Sequence, residues 1–537
     1  MTAWQRPAFT KPDSPIFPWL ILLNVIVTTF MAIMSTTITL IADETIQGEL
    51  GLSSPEASWV ITFYLLGLNS TVPSASWMSE RFGFRKMYAF GVLVFTIGSG
   101  FAGLAPNFWT LGACRFVEGI GAGYIFPIGL AMITRNIPKK RLSLALNLYI
   151  AISFGGGSGL GMILAGYFSQ FASWRELFLL FLPFGGLATL DCWLFHEDTP
   201  QTNKGPFDFW GFITFTLFIA LLLVALSFGP LRSTAEGWRD PLIVSCFVIA
   251  GMSLLLSLWI ESRHPNPVIP LNLFKNPLFV LCLLSMLQLG MAFFSSVSSF
   301  VSFMLNALRY ERFIVGWIAS AYGIAMGLSS VLASRITKWI HPTVLTFVGL
   351  SALIISYFLN NQITLQSYPL QILGILALRG FGVGLSLGPI TALAMATVSK
   401  SLAGPASTLL TFTRQVGSTY GGTVLAIMMI KRKIYHVARF AEPVSQQIPG
   451  YQFTFNRLST QFFSSVSDKS FLASRQAELE IVQNIETQAF IQAINDGMMV
   501  FGYITIAIAI ALAIFVFVER KLFFGHKKSR SEPEKHS

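Results

Sequence analysis

Residues 209–228 read FWGFITFTLFIALLLVALSF, an apolar run without a charged side chain. An α-helix rises about 1.5 Å per residue, so a run of this length spans about 30 Å, the thickness of the hydrocarbon core of a bilayer. Similar runs recur along the whole chain of 537 residues. The sequence therefore predicts an all-α protein that crosses a membrane many times.

The composition excludes an ordinary soluble fold. Hydrophobic residues make up 53% of the chain and charged residues 11%, whereas soluble domains usually carry about 25% charged residues. The polar segment 1–14 leads directly into a full-length apolar run, so we expect the first span to be retained and not cleaved as a signal peptide.

The net charge of +11 has a topological explanation. Lys and Arg concentrate in short loops between apolar runs and in the C-terminal tail, as the positive-inside rule expects, so no nucleic-acid partner is predicted. The cysteines lie within apolar runs, where they are expected to be buried hydrophobes. They are Cys114, Cys192, Cys246 and Cys282. No metal and no cofactor are expected.

Hydropathy predicts fourteen membrane helices. They cover residues 17–42, 55–77, 87–106, 108–134, 142–168, 175–195, 208–229, 241–260, 278–305, 313–333, 343–360, 369–397, 405–430 and 496–518. Six spans are predicted to form an N-terminal bundle within residues 17–196, and two an inserted hairpin within the linker region 197–276. Six more are predicted to form a C-terminal bundle within residues 277–518.

The basic loops predict the orientation of these spans. Most Lys and Arg residues fall on one side, which is expected to be the cytoplasm, so the N-tail 1–16 and the basic C-tail 519–537 are both predicted to be cytoplasmic. The protein is thus predicted to be a multi-pass protein of the cytoplasmic (inner) membrane. Residues 431–495 form a predicted external loop, and its part 472–494 has the apolar spacing of an amphipathic helix that leads into the last span.

The loop after the second span contains an acid, a glycine and several cations. Residues 79–86 read SERFGFRK. The residues of interest are Glu80, Arg81, Gly83, Arg85 and Lys86. An acid at a helix end, a glycine that permits a tight turn and neighbouring cations can form a charge network that closes a cytoplasmic gate. A solvated basic loop that only sets the topology is the alternative.

The fourth and fifth spans carry the other two motifs. Residues 115–123 read RFVEGIGAG, which places Arg115 and Glu118 on one helix face. Charges inside a membrane are costly and usually pair or face a water-filled cavity, so this pair is a candidate for proton coupling, with a permanent structural ion pair as the alternative. In the fifth span, Gly157, Gly161 and Gly166 permit close helix approach and suit a moving seam, although a static packing seam explains them equally well.

These segments resemble motifs of the major facilitator superfamily. The loop is similar to G-x-L-a-D-R-x-G-R-R/K, the fourth span to R-x-x-q-G-x-G-x-G, and the fifth span to the antiporter motif G-x-x-x-G-P-x-x-G-G, with Met162 at the place of the proline. Residues 30–38, FMAIMSTTI, resemble the L-D-x-T-I segment of the fourteen-span drug:proton antiporter branch, the EmrB and QacA type. Ser35 stands where that branch has aspartate.

The resemblance implies a major facilitator fold of two six-helix bundles and an inserted hairpin, with about fourteen spans. It also implies proton-coupled efflux of amphipathic or hydrophobic organic compounds by alternating access. Because Ser35 replaces the branch's aspartate, Asp43 and Glu44, about two turns later, are further coupling candidates; solvated acids at the outer helix end are the alternative.

A substrate cavity is expected near the midplane between the two halves. Its candidate residues are aromatic, polar or cationic side chains at central depth. They are Ser35, Thr36, Phe154, Gln288, Phe293, Phe412, Arg379 and Arg414. A buried amide needs partners, and the two arginines either fix helix packing or attract an anionic part of a substrate.

Two further functions remain open from the sequence. One is an uptake or export carrier for a specific metabolite, and the other is a transport-inactive membrane sensor or scaffold. An enzyme is not expected, because the chain lacks a Walker phosphate loop, a zinc-spaced His or Cys group and a nucleophile elbow. The expected partners are the lipid bilayer, a small organic substrate and protons. In a double-membrane bacterium the resemblance also implies a periplasmic adaptor and an outer-membrane duct.

Overall fold

The computed structural model describes residues 14, 16–195, 205–228, 239–265, 267, 269–398, 402–442, 449–465 and 470–529, which are almost entirely helical. The helices are α1 (Phe17–Leu50), α2 (Ser54–Thr71), α3 (Ala75–Phe82), α4 (Phe84–Gly103), α5 (Phe108–Asn136), α6 (Lys139–Tyr149), α7 (Gly157–Phe171), α8 (Trp174–Leu179), α9 (Phe181–Phe195), α10 (Phe209–Phe228), α11 (Pro241–Glu261), α12 (Pro277–Ser302), α13 (Arg312–Ile336), α14 (Pro342–Leu359), α15 (Pro369–Ala396), α16 (Ala403–Ala441), α17 (Pro449–Ser465) and α18 (Ser470–Ser529). A π-helical segment, Ile150–Gly156, joins α6 to α7 without a loop.

Within the described residues, 12 helical segments are long and apolar enough to cross a membrane. The other two predicted spans, 55–77 and 405–430, are also helical and lie in α2 with α3 and in α16. Polar residues lower the apolarity of both: α2 carries several Ser and Thr residues with Glu56 and Asn69, and α16 carries several Ser and Thr residues and a basic C-terminal part. The predicted all-helical membrane fold is therefore confirmed, with 12 candidate spans.

The helices pack in two groups and a hairpin. In the first group α1 contacts α5 and α7, while α4 contacts α5 and α9. In the second group α12 packs on α16, α13 on α15, and α14 on α15 and α18. The groups meet where α7 packs on α13 and where α2 and α3 contact α16. Helices α10 and α11 pack on each other, and α10 also contacts α2 and α16.

Helices α16 and α18 are longer than a bilayer requires. They contain 39 and 60 residues, which correspond to about 58 Å and about 90 Å of helix against about 30 Å of hydrocarbon. Beyond the span they remain paired, since Lys433 Nζ lies 2.9 Å from Glu486 Oε2 and Arg432 lies 2.6 Å from Asp496 Oδ2. The segment 472–494 is thus the first part of α18 and continues into the last span without a break.

Candidate functional site

A cavity of about 1380 Å³ lies between the two helix groups. Its inner wall is formed by aromatic, aliphatic and a few polar side chains. They include Phe126, Tyr149, Phe154, Met286, Leu387, Thr411 and Arg414. The cavity extends to the end of the molecule that carries the short basic loops, because Arg135, Lys140, Arg141, Arg335 and Lys338 also line it. Drug-sized ligands usually occupy pockets of about 300–1,000 Å³, so this cavity has room for one.

The π-helical segment places Phe154 at the inner end of the cavity. The Phe154 ring contacts the rings of Tyr149 and Phe126, with centroid separations of 5.7 and 6.0 Å. The guanidinium carbon of Arg414, from α16 in the other helix group, lies 4.5 Å from the Phe154 ring centroid. Single π-helical turns often occur at functional sites, where they shift side chains away from regular helical positions. This stacked pair therefore joins the two helix groups at the cavity wall.

A second polar site is sealed between α1 and α5. Arg115 and Glu118 are both 0% exposed, and Arg115 Nη1 lies 2.8 Å from Glu118 Oε2. Ser35 Oγ accepts a hydrogen bond from Arg115 Nη1 at 2.6 Å and donates one to Glu118 Oε1 at 2.5 Å. Arg115 Nη2 also donates to Thr39 Oγ1 at 3.1 Å. Ser35, which replaces the branch's aspartate, thus bridges the two charged groups.

Aromatic rings and close helix packing keep water from this site. The Arg115 guanidinium carbon lies 4.5 Å from the Tyr64 ring centroid and 5.3 Å from that of Phe178. A Cβ added at Gly98 of α4 would lie 2.6 Å from the backbone nitrogen of Glu118. The absent side chain therefore allows α4 to pack directly against the backbone of α5 at Glu118. In this arrangement the pair does not border the large cavity.

At the opposite end from the basic loops, polar contacts connect the two helix groups. Arg312 Nη2 of α13 lies 3.3 Å from Glu44 Oε2 of α1. Gln170 donates from Nε2 to Glu311 at 2.9 Å, and its Oε1 accepts from the backbone nitrogen of Phe313 at 2.9 Å. Asp43, the other acidic candidate, is partly buried beside Glu44 on α1. These contacts hold the two groups together at this end.

The predicted glycine seam divides between two helices. A Cβ at Gly157 would lie 3.0 Å from the Phe30 carbonyl oxygen, and one at Gly161 would meet Thr37, so both glycines face α1. Gly166 faces α13, because a Cβ there would lie 2.5 Å from the carbonyl oxygen of Arg312. The contact between the groups also uses glycines that sequence reasoning missed. They are Gly155 and Gly159 of the fifth span and Gly316, Gly323 and Gly327 of α13.

The loop between α3 and α4 has the tight turn that its glycine predicted. Gly83 adopts φ 97°, a conformation that L-residues with a side chain rarely take. Glu80 faces α16 across the two helix groups, since a Cβ at Gly404 would lie 3.4 Å from Glu80 Oε1. This position places the carboxylate beside the first turn of α16, where the helix dipole favours a negative charge. Arg81, Arg85 and Lys86 lie on either side of the turn.

Of the eight predicted cavity residues, the structure places Phe154 and Arg414 on the cavity wall. Gln288 instead donates to Thr505 Oγ1 of α18 at 2.7 Å, and Phe412 packs on Phe215 of the hairpin. The remaining four have other surroundings. Ser35 belongs to the Arg115 site, Thr36 donates to the carbonyl of Ala32, Phe293 contacts Tyr322, and Arg379 is fully buried in the second helix group.

Sequence reasoning missed Tyr149 and Asn147 of the cavity wall. Both follow the basic start of the fifth span, where a polar residue among apolar ones was a usable signal. The unwinding of Ile150–Gly156 into a π-helix had no such signal, because its sequence has the apolar and glycine-rich character of the regular helix that follows.

Comparison with known proteins agrees with this architecture. The multidrug resistance protein Stp of Mycobacterium tuberculosis (strain ATCC 25618 / H37Rv) is 28% identical over 425 residues, 78% of this chain and 78% of that protein. The multidrug transporter protein MdtP of Bacillus subtilis (strain 168) is 26% identical over 415 residues, 77% of this chain and 75% of that protein. The uncharacterized MFS-type transporter YhcA of the same strain is 21% identical over 471 residues, 88% of this chain and 87% of that protein.

A solved structure has the same fold. It is a bacterial homolog of the human lysosomal transporter Spinster in an inward-facing and unoccupied conformation, with a TM-score of 0.51 and 15% identity, covering 93% of this chain and 97% of that chain. The family model of the Major Facilitator Superfamily matches residues 25–422. Its members are membrane transporters and not enzymes. The chain therefore belongs to the Major Facilitator Superfamily and is a multi-pass secondary transporter of small substrates.

Proposed function

We propose that this protein exports amphipathic or hydrophobic organic compounds in exchange for protons, by alternating access, as a member of the fourteen-span drug:proton antiporter branch. The observation that carries the proposal is the sealed Arg115–Ser35–Glu118 network, which holds an ionisable carboxyl inside a transporter of this superfamily. The names of Stp and MdtP as multidrug proteins support the substrate class.

Glu118 is the proposed proton carrier. A carboxyl that couples transport must lose contact with water in one state and regain it in another, and Glu118 is fully buried here. Protonation would remove its charge and release Arg115, which would keep its hydrogen bonds to Ser35 and Thr39. The hydrogen bond from Ser35 Oγ would then no longer be made to a charged carboxylate, which would weaken the contact between α1 and α5. Asp43 and Glu44 are the alternative coupling residues.

The proposed substrate site is the large cavity, and two sets of contacts control its access. At the basic end, Glu80, Arg81, Gly83, Arg85 and Lys86 would form the cytoplasmic gate, supported by the position of Glu80 against α16. At the other end, the α7–α13 glycine contact would rock while the Glu44–Arg312 ion pair opens and closes. Small residues at the contact favour such motion because the backbones already lie close together.

The topology belongs to the same proposal. Two six-helix bundles, 17–196 and 277–518, would flank the inserted hairpin and make fourteen spans, with both termini in the cytoplasm and the loop 431–495 outside. The basic loops support this orientation in the cytoplasmic (inner) membrane. In a host with two membranes, a periplasmic adaptor and an outer-membrane duct are the proposed partners. The C-terminal part of α16 and the N-terminal part of α18, which pair through Lys433 and Glu486, are long enough to extend beyond the bilayer on the outer side.

Proton flux in proteoliposomes tests the proposal. The purified protein is reconstituted, a pH gradient is imposed, and proton release is followed while lipophilic drugs and dyes are added. We expect substrate-dependent proton flux in the native protein and its loss in Glu118→Gln. The matched control is Glu176→Gln, the same chemical change at an exposed carboxylate of α8, which should keep the native flux.

Other outcomes separate the alternatives. Flux unchanged by Glu118→Gln would assign that residue a structural role and redirect the search to Asp43 and Glu44. Substrate flux without proton movement would favour a carrier for a specific metabolite. Absence of flux with every compound, together with a stable folded protein, would favour a membrane sensor or scaffold.

A further inference from the structure

Arg414 is a buried cation without an anionic partner in the described structure. Its side chain borders the large cavity and is 8% exposed. The Phe154 ring covers one face of the guanidinium. No carboxylate of the described residues lies within ion-pair distance of it, and none of those residues accepts a hydrogen bond from its guanidinium. The group therefore retains most of its hydrogen-bonding capacity for something inside the cavity.

The other two buried arginines of the described residues differ in this respect. Arg115 has Glu118, Ser35 and Thr39 as partners. Arg379 donates to the hydroxyl and carbonyl of one serine and to an asparagine side chain. An unsatisfied buried charge is strongly unfavourable, and arginine is normally kept at such a position only when an anion or several acceptors reach it. Water in the cavity can supply acceptors at Arg414, but it cannot supply the opposite charge.

The positive-inside rule explains the cations at the cavity mouth, which is the end lined by Arg135, Lys140, Arg141, Arg335 and Lys338, but it does not explain Arg414. The cations at the mouth lie near short loops, where the positive-inside rule alone accounts for them. Arg414 lies 11 residues after Ala403, the first residue of α16, which places it roughly 17 Å into the helix and near the middle of a bilayer. Among the described lining residues Glu80 is the only carboxylate, and it belongs to the mouth. The cavity field is therefore positive along its whole length.

We propose that the cavity binds amphipathic organic anions, with a carboxylate or sulfonate on Arg414 and an apolar body against Phe126, Tyr149, Phe154 and Met286. The planar guanidinium can donate two hydrogen bonds to such an oxyanion. Because the Phe154 ring covers one face of the guanidinium, the oxyanion would approach along the guanidinium edge. The basic mouth raises the local concentration of the anion. This inference rests on the proposed transport function, since it takes the cavity as the substrate site. It narrows the substrate class from amphipathic compounds in general to anions.

Binding of three matched fluorescent probes tests the inference. Pyrenebutanoic acid, pyrenebutanol and pyrenebutylamine share one apolar body and differ in the charge of the head group. Their affinities are measured with the full-length protein in phosphatidylcholine nanodiscs, with empty nanodiscs as the background. We expect the acid to bind about tenfold more tightly than the alcohol, because a carboxylate accepts two hydrogen bonds from the guanidinium and carries the opposite charge, whereas the hydroxyl is neutral. The amine should bind most weakly.

Substitutions assign the preference to one residue. Arg414→Gln should abolish the preference for the acid and reduce the affinity for the alcohol much less than the affinity for the acid. The remaining binding of the alcohol shows that the cavity is still folded. Arg414→Lys should keep part of the preference. The matched control is Arg263→Gln, which removes another arginine that lies on an aromatic ring, Trp259, but outside the cavity. It should leave all three affinities unchanged.

Equal affinity for the acid and the amine in the native protein would overturn the inference, as would a preference that survives Arg414→Gln. Repeating the titration with phosphatidylglycerol in the nanodiscs identifies the source of the anion: competition indicates that a lipid fills the site, and no competition indicates a soluble compound. The measurement uses no pH gradient, so it is independent of proton coupling. A native protein that shows proton-coupled export but no preference for the acid would overturn the inference alone, whereas acid binding without export would overturn the proposed function alone.

Discussion

Each helix group contains a buried arginine, Arg115 in α5 and Arg379 in α15, and the two groups stabilise the buried charge in different ways. Both side chains are 0% exposed. Both also lie over a tyrosine ring, at 4.5 Å from the Tyr64 centroid and 4.6 Å from the Tyr357 centroid. The first arginine is 2.8 Å from the carboxylate of Glu118. In the described residues no carboxylate lies within ion-pair distance of the second.

Neutral groups stabilise Arg379 instead. Its Nε donates to Ser356 Oγ at 3.1 Å, and its Nη2 donates to the Ser356 carbonyl at 3.1 Å and to Asn360 Oδ1 at 3.3 Å. Hydroxyl, carbonyl and amide groups do not take up a proton near neutral pH, whereas a carboxylate can. The charge around Arg115 can therefore change during a transport cycle, and the charge around Arg379 is fixed. This asymmetry favours the first helix group as the place of coupling and the second as a rigid frame.

Arg115→Met should have the largest effect on stability. It leaves the Glu118 carboxylate buried and unpaired, and breaking one side of a buried ion pair costs about 3–5 kcal/mol. The free energy of unfolding in mixed micelles, measured by titration with sodium dodecyl sulfate, checks this. The double variant Arg115→Met/Glu118→Met should recover most of the loss, because replacement of both charges by apolar groups is often close to neutral.

The control for this prediction is an ion pair that water reaches. Lys433 and Glu486 have side chains that are 38% and 52% exposed, so Lys433→Met should cost less than about 1 kcal/mol. A cost for Arg115→Met as small as that of Lys433→Met would contradict the sealed, charged state of the Arg115 site.

Arg379→Met should have a smaller effect, roughly 2 kcal/mol. It leaves Ser356 Oγ and Asn360 Oδ1 without the donor that Arg379 supplies, and a buried acceptor without a donor costs about 1–3 kcal/mol. The Ser356 carbonyl still accepts from the backbone N–H of Asn360, and the Asn360 side chain still donates to Asn495, which limits the loss. The same unfolding titration measures the loss. A destabilisation equal to that of Arg115→Met would mean that Arg379 has an anionic partner after all, and the contrast between the two sites would fail.

Much of the fold followed from the sequence. Apolar runs predicted the 12 helical segments of the described residues that are long and apolar enough to cross a membrane. The apolar spacing within 472–494 predicted a helix that leads into the last span. The lengths of α16 and α18 outside the bilayer were not predictable from hydropathy, because their continuation depends on pairing between distant segments such as Lys433 with Glu486.

The site was less predictable, because spacing along one helix does not reveal a neighbour from another. Arg115 and Glu118 could be paired from their three-residue interval, but the bridging position of Ser35, 80 residues away, could not. Gln288 was a reasonable cavity residue because a buried amide needs partners, yet its partner is Thr505 of α18. Arg414 and Phe154 were each identified as candidates, but only the folded chain brings them together.

The smallest predicted effect concerns the helix that carries the carboxylate. Ser35 Oγ lies 2.6 Å from Arg115 Nη1, so an aspartate at this position would reach the same guanidinium from α1. If coupling needs one carboxyl on Arg115 from either helix, Ser35→Asp/Glu118→Gln should recover proton-coupled flux by roughly tenfold over Glu118→Gln, about 1.4 kcal/mol in barrier height. Ser35→Asn/Glu118→Gln has nearly the same shape without the charge and should recover nothing. Equal flux in these two double variants, with both proteins as stable as the native one, would show that coupling depends on groups other than a carboxyl on Arg115. The difference between the Arg115 and Arg379 sites would then not identify the first helix group as the place of coupling.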